Sequence, residues 1–170
     1  MQKIEKLTGM EDVIDIASYI CYQYKQRFCR GIDEMKLHKL LYFVQRKSIA
    51  ETGNPMFDAV FHAWKYGPVI PAIRAMYKSG YLENRCPVIS ASSVHIVASV
   101  MDELAGSDSM LLSSISHGEI SWQRARKRML ENNGLGEEMD MSDIREDAMR
   151  YRKRCELLKV WREFQTQAVQ

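Results

Sequence analysis

The stretch that decides the fold runs from residue 36 to residue 69 and has three pieces. Residues 36–43 read KLHKLLYF, residues 53–57 read GNPMF, and residues 63–69 read AWKYGPV. The first piece carries leucines on one side and lysines on another, which predicts an amphipathic helix. The glycine and proline of the second piece predict that this helix ends there. The third piece is short, aromatic and followed by prolines, which predicts an extended segment that turns into a new helix.

Further helical patterns lie on both sides of this stretch. Before it, Thr8-Gly9-Met10-Glu11 fits a capping box that opens a first helix. After it, apolar residues recur at helical spacing in several capped segments. The residues predicted to face the core or cap these segments are Val94, Val97, Met101, Leu104, Asp108, Leu111, Leu112, Ile115, Ser121, Ile144, Ala148, Tyr151, Leu158 and Trp161.

These patterns predict a mainly α protein, folded as a single compact helical domain over residues 1–170. The alternating aromatic residues near 57–66 predict one small extended or β element. Residues 86–97 are a second candidate for such an element.

Composition is that of an ordinary globular protein. Apolar residues make up 46% of the 170 residues and charged residues 27%, and a chain of this length can bury a core without disulfides. The net charge is only +2, so bulk electrostatics do not predict nucleic-acid binding.

Neither a metal site nor a cofactor is predicted. The four cysteines include no Cys-x-x-Cys pair, and zinc sites need closely spaced ligands. Residues 1–6 lack the apolar core of a signal peptide, and no segment approaches the roughly 18 apolar residues of a membrane span. We therefore expect a cytoplasmic protein without a membrane partner.

The order and spacing of residues 36–69 resemble the Panacea antitoxin domain of prokaryotic and phage toxin–antitoxin systems. That family includes SocA-type proteolytic adaptor antitoxins and GepA-like phage-associated proteins. A second block, SISHGEISWQRA at residues 114–125, is similar to the family pattern Leu-Thr-His-x-Glu-x-x-Trp-x-x-Ala. The turn at residues 142–144 also resembles the family, although only Tyr151 remains of the Tyr-Phe pair that usually follows. The resemblance covers about residues 12–151.

This resemblance implies an antitoxin and no enzyme activity. The antitoxin would neutralise a cognate protein toxin by direct binding. In a SocA-type variant of this role it would deliver the toxin to a ClpXP-type protease, so the implied partners are the toxin and, for that variant, the protease. The sequence leaves both mechanisms open.

The candidate site residues lie in the two blocks. Lysines and amphipathic aromatics suit an interface with a charged rim. The candidate partner-binding residues are Lys36, Lys39, Trp64, Lys65, Tyr66, His117 and Glu119. The residues predicted to support the fold are Leu40, Leu41, Gly67, Pro68 and Trp122.

Two other functions fit parts of the sequence. The basic residues of the C-terminal helix suit a nucleic-acid-binding regulator, although such mixed runs are usually a solvated helix face. His117 and Glu119 suit the general base and carboxylate of a small hydrolase. No nucleophile elbow or Pro-Cys-x-x-Cys motif accompanies them, so we expect no catalytic residue.

Overall fold

The computed structural model describes residues 9–85, 87–134 and 137–168. Within these residues the chain forms seven α-helices and one β-hairpin, which confirms the mainly α fold with a small β element. The elements in chain order are α1 (Val13–Phe28), α2 (Glu34–Thr52), β1 (His62–Trp64), β2 (Gly67–Val69), α3 (Pro71–Lys78), α4 (Ala91–Leu104), α5 (Ser109–His117), α6 (Ile120–Glu131) and α7 (Met141–Ala168). A short 3-10 turn spans Leu82–Asn84.

Helix α2 lies at the centre of the fold and contacts α1, α4, α5, α7 and β2. Asp33 caps it by accepting a hydrogen bond from the Lys36 backbone N–H at 2.9 Å, and Gly53 ends it in a left-handed conformation. Every residue from 36 to 50 is buried. The expectation of a lysine side that faces solvent or a partner is therefore wrong, because neighbouring elements cover α2 on all sides.

The two strands form an antiparallel hairpin in which Trp64 pairs with Gly67. The first strand lies within the predicted element near 57–66, and the second lies beyond it, since residues 67–69 form a strand rather than a turn into a helix. Gly67 has a φ of +101°, and a Cβ there would overlap the side chains of Ser116 and Lys39. A glycine is therefore required at this position.

The start of α1 and the second extended candidate differ from prediction. Helix α1 begins at Val13, with Asp12 as its N-cap through a 2.7 Å bond to the Ile14 N–H. The predicted cap Thr8 lies outside the described residues. Residues 87–90 form no strand and Ala91 begins α4, so most of the candidate element at 86–97 is helical; Cys86 is also outside the described residues.

Helix α7 packs on the fold only with its first half. Ile144 and Ala148 are buried, and Tyr151 is half-buried. We call residues 152–168 the arm; none of the side chains described there is buried. Leu158 and Trp161 were predicted to face the core, but they are 47% and 58% exposed because the arm runs past the body of the fold. No helix in the described part of the chain has the length and apolar character needed to span a membrane.

Candidate partner-binding site

Side chains of the neighbouring helices hold the hairpin by donating hydrogen bonds to its backbone. Three of its carbonyl oxygens accept hydrogen bonds from α2, α5 and α6: Pro68 O from Lys39 Nζ at 3.0 Å, Tyr66 O from Ser113 Oγ at 2.9 Å, and Trp64 O from Trp122 Nε1 at 3.0 Å. Burial lowers the pKa of Lys39 to about 8. The three donors come from three different helices, so they fix the hairpin in both position and orientation.

His38 fixes the point where the hairpin meets α3. Its Nδ1 accepts a hydrogen bond from the Ile70 N–H at 3.3 Å. The side chain is buried, and that burial, together with the charges of Lys39 and Arg74, lowers the pKa of His38 to about 3. His38 is therefore neutral near pH 7, which leaves Nδ1 free to act as an acceptor.

The tip of the hairpin is exposed. Lys65 and Tyr66 form the turn, and Tyr66 is 47% exposed. The Lys65 ammonium lies 5.2 Å from the centre of the Tyr66 ring, and the Arg74 guanidinium lies 5.0 Å from the centre of the half-buried Trp64 ring. We call Trp64, Lys65 and Tyr66 the hairpin surface. It offers aromatic area with cations beside it.

Helix α5, which holds the turn through Ser113, presents apolar side chains to solvent. Leu112 is buried, whereas Met110, Leu111 and Ile115 are 52%, 52% and 38% exposed. The prediction that Leu111 and Ile115 face the core is wrong, because the buried side of α5 is formed by Leu112 and two serines. Exposed apolar area therefore lies on the helix next to the hairpin surface.

His117 packs against the second block rather than pointing at a reactive group. Its ring stacks on Trp122, with 4.0 Å between ring centres. Burial lowers the pKa of His117, which favours a neutral imidazole. No hydrogen bond joins His117 to Glu119 among the described residues, so these two do not form the base and carboxylate pair of the hydrolase interpretation.

Glu119 belongs instead to a buried polar network where α2, α6 and α7 meet. Arg46 Nη1 donates to Glu119 Oε1 at 2.5 Å, and the two side chains are 9% and 12% exposed. Tyr42 OH donates to Asp147 Oδ2 at 2.9 Å and also lies 3.3 Å from Glu119 Oε2. Burial raises the pKa of Glu119, Arg46 opposes that shift, and Asp147 adds to it. The network ties Glu119 to the body of the fold and leaves it little access to a partner.

Asp147 caps helix α6. Its carboxylate accepts hydrogen bonds from the Ile120 N–H at 2.7 Å and the Ser121 N–H at 3.0 Å. The predicted cap, Ser121, is instead the second residue of the helix and contacts Tyr42 at 3.1 Å. An acid from α7 therefore supplies the negative charge that a helix N-terminus favours.

The roles of Tyr42, Arg46 and Asp147 are not among those predicted from the sequence. Asp147 follows the buried Ile144 by three residues, and this helical spacing is the only signal that could have placed it on the inner side of α7. Nothing in the sequence pairs Arg46 with Glu119.

A known family model matches the part of the chain that contains the hairpin and its supporting helices. The model for the SocA-like antitoxin Panacea domain matches residues 37–123, just over half of the chain. The chain belongs to this family. The matched residues contain nearly all of α2, the hairpin and the start of α6, which are the elements that build and support the hairpin surface. They form a shorter span than the resemblance at residues 12–151, and α7 lies outside them.

A curated relative is similar to part of the chain. Antitoxin SocA of Caulobacter vibrioides (strain NA1000 / CB15N) is 33% identical over 72 residues, which are 40% of this chain and 38% of the relative. The chain therefore matches well under half of that protein's length. No solved structure matches the chain.

Proposed function

We propose that this protein is an antitoxin that neutralises a cognate protein toxin by binding it directly through the hairpin surface. Membership of the Panacea family supports the antitoxin role. The observation that carries the site is the exposed Lys65-Tyr66 turn on a hairpin that three helices hold through side-chain bonds.

A rigidly held aromatic turn is well suited to binding. Tyrosine and tryptophan are enriched among the residues that dominate interface energies. A surface that is already ordered loses little conformational entropy when its partner docks. Lys65 adds a charge at the rim, where it steers association rather than supplying most of the affinity.

The other candidate residues act from inside the fold. Lys36 is 5% exposed, and its ammonium contacts the Ala105 carbonyl oxygen and the Tyr24 hydroxyl, each at 3.3 Å. Lys39 holds the hairpin, and Glu119 pairs with Arg46. We assign these side chains a positioning role and keep the direct contact for Trp64, Lys65 and Tyr66.

The test is binding and rescue with the toxin encoded beside this gene. A Lys65→Glu/Tyr66→Ala variant should fold, but it should bind the purified toxin about tenfold or more weakly, as expected when an interface anchor is truncated. It should also fail to restore growth. Lys78→Glu/Tyr81→Ala is the matched control, since Lys78 is exposed and Tyr81 is 45% exposed.

Two results would contradict different parts of this proposal. If the wild-type protein neither bound the neighbouring toxin nor rescued growth, the antitoxin function would be wrong. If the hairpin variant bound and rescued as well as the control, the function would stand and the site would be wrong.

Direct inhibition and proteolytic delivery differ in the fate of the toxin. Under direct inhibition, the purified complex should keep the toxin inactive and intact when a ClpXP-type protease and ATP are added. Faster loss of toxin with the antitoxin than without it would establish delivery instead.

A further inference from the structure

One face of the arm has a continuous pattern of basic and then apolar side chains. Their spacing of three, four and seven residues places them on one side of the helix. These residues are Lys153, Arg154, Leu157, Val160, Trp161 and Phe164. By the same spacing, Lys153 and the apolar residues point away from the inner face that α7 packs on the body through Ile144, Ala148 and Tyr151. Arg154 lies at the edge of this face toward the body, where it lines a cleft with Lys47.

The apolar part of this face is open to solvent. Leu157, Val160, Trp161 and Phe164 are 62%, 63%, 58% and 67% exposed. Single exposed apolar residues are ordinary, but a contiguous patch of large ones marks an interaction site. Trp161 lies in the middle of this patch, the position where aromatic anchors of interfaces concentrate.

The charge of the arm indicates which kind of partner fits. The arm carries five basic residues, Arg152, Lys153, Arg154, Lys159 and Arg162, against the two acidic residues Glu156 and Glu163. Arg152 pairs with Glu156 at 3.1 Å. Among the described residues, no carboxylate lies within 4.0 Å of the Lys153 or Arg154 side chains. A second copy of the arm would add like charge, whereas an acidic partner would supply the missing carboxylates.

We propose that the arm docks an acidic amphipathic helix of the toxin. The apolar side chains of that helix would cover Leu157, Trp161 and Phe164, and its carboxylates would pair with Lys153 and Arg154. This inference rests on the proposed antitoxin function and adds a second contact to the hairpin surface. Because the arm lies outside the residues that match the family, it gives this chain a means to select its own toxin within a shared fold.

The experiment measures toxin binding by the full-length protein and two arm variants. Trp161→Ala/Phe164→Ala removes the apolar anchors, and Lys153→Glu/Arg154→Glu reverses the charge. Each should weaken binding about tenfold or more, and the charge variant should also slow association and reduce its dependence on salt.

Matched controls separate the arm from general surface effects. Val88→Ala/Leu130→Ala truncates two apolar residues that are 86% and 76% exposed elsewhere on the protein. Lys25→Glu/Lys127→Glu makes the same change of net charge at exposed positions on α1 and α6. Both controls should bind the toxin like the wild type. Replacing acidic residues of the toxin helix by lysine should restore binding to the Lys153→Glu/Arg154→Glu variant.

The outcomes distinguish this inference from the function on which it rests. If the wild type does not bind the toxin, the proposed function fails first. If the wild type and both arm variants bind the toxin equally, the antitoxin function stands and the arm proposal is overturned.

Three further measurements test whether the arm binds a partner other than the toxin. Sedimentation with phosphatidylglycerol vesicles, titration with duplex DNA and sedimentation equilibrium of the protein alone are made on the same variants. An arm-dependent signal in any of them, with toxin binding unchanged, would assign the arm to a membrane, a nucleic acid or a second copy and would overturn the proposal.

Discussion

Helix α2 and the arm have similarly mixed sequences but opposite surroundings. In α2 the charged residues Lys36, Lys39 and Arg46 are buried beside the leucines. In the arm even Trp161 and Phe164 are mostly exposed. Burial in this protein therefore follows from what packs beside a helix, and the composition of the helix does not predict it.

The charged residues of α2 tolerate burial because each finds a specific partner. Lys39 bonds to a carbonyl oxygen of the hairpin, and Arg46 bonds to Glu119 and lies 4.3 Å from the centre of the Tyr151 ring. A buried charge without such partners would be strongly unfavourable. The arm has no comparable constraint, so its side chains are available to a partner.

The largest expected difference in unfolding free energy is between breaking the buried ion pair of α2 and breaking an exposed ion pair of the arm. Arg46→Ala should lower the free energy of unfolding by about 3–5 kcal/mol, because it leaves the buried Glu119 beside Asp147 without its cation. Arg152→Ala in the exposed pair with Glu156 should cause no measurable change. Urea denaturation of both variants checks the comparison.

A compensating variant tests whether the lost pairing is the cause. Arg46→Met/Glu119→Gln removes both charges and should recover much of the stability lost in Arg46→Ala. If it were as unstable as the single variant, packing around Arg46 would explain the loss instead.

The next largest effect comes from truncating a leucine in each region. Leu41 is fully buried, and Leu41→Ala should cost about 2–5 kcal/mol of unfolding free energy. Leu157 is 62% exposed, and Leu157→Ala should stay within about 0.5 kcal/mol of the wild type. If Leu157→Ala lost as much stability as Leu41→Ala in thermal or urea unfolding, the arm would be packed against the body of the protein in solution.

A smaller expected effect is the pH dependence of stability that comes from His38 on α2. The pKa of His38 is about 3 in the folded protein and near 6.5 in the unfolded chain. Between these values the unfolded chain binds more protons, so stability is full above pH 6.5 and falls as the pH drops through this window. The contribution of one such group is at most about 1.4 kcal/mol per pH unit.

His38→Asn should reduce this dependence on pH. The Asn side-chain oxygen can still accept a hydrogen bond from the Ile70 N–H, so the contact between α2 and the end of the hairpin is kept while the titrating group is lost. Unfolding measured at intervals between pH 4 and pH 7 should give a shallower loss for His38→Asn than for the wild type. His95→Asn, at an exposed position of α4, is the control; a change of slope equal to that control would refute the assignment to His38.

The sequence predicts local structure well where the chain itself carries the signal. The left-handed end at Gly53 and the proline at the start of α3 both act within a few residues, and each lies where its pattern predicts. The aromatic run before Gly67 likewise predicts an extended segment.

The sequence predicts less well where distant elements meet. The burial of α2 depends on α1, α4, α5 and α7, which no local pattern encodes, so the burial of Lys36 and Lys39 could not be predicted. The cap of α6 comes from Asp147, 27 residues after Ile120. The apolar spacing at Leu158 and Trp161 continues the pattern of α7, but periodicity does not show where the body of the fold ends.

The smallest expected effect on stability comes from removing the exposed part of the arm. A chain that ends after Glu156 keeps Ile144, Asp147, Ala148 and Tyr151, the residues by which α7 packs on the body and caps α6. The residues removed bury little surface, so the free energy of unfolding should change by less than about 0.5 kcal/mol. The melting temperature should then stay within about 2 °C of that of the wild type. Toxin binding should nevertheless fall about as much as in Trp161→Ala/Phe164→Ala. A large drop in melting temperature would mean that the arm supports the fold as α2 does, and the contrast between the two helices would not hold.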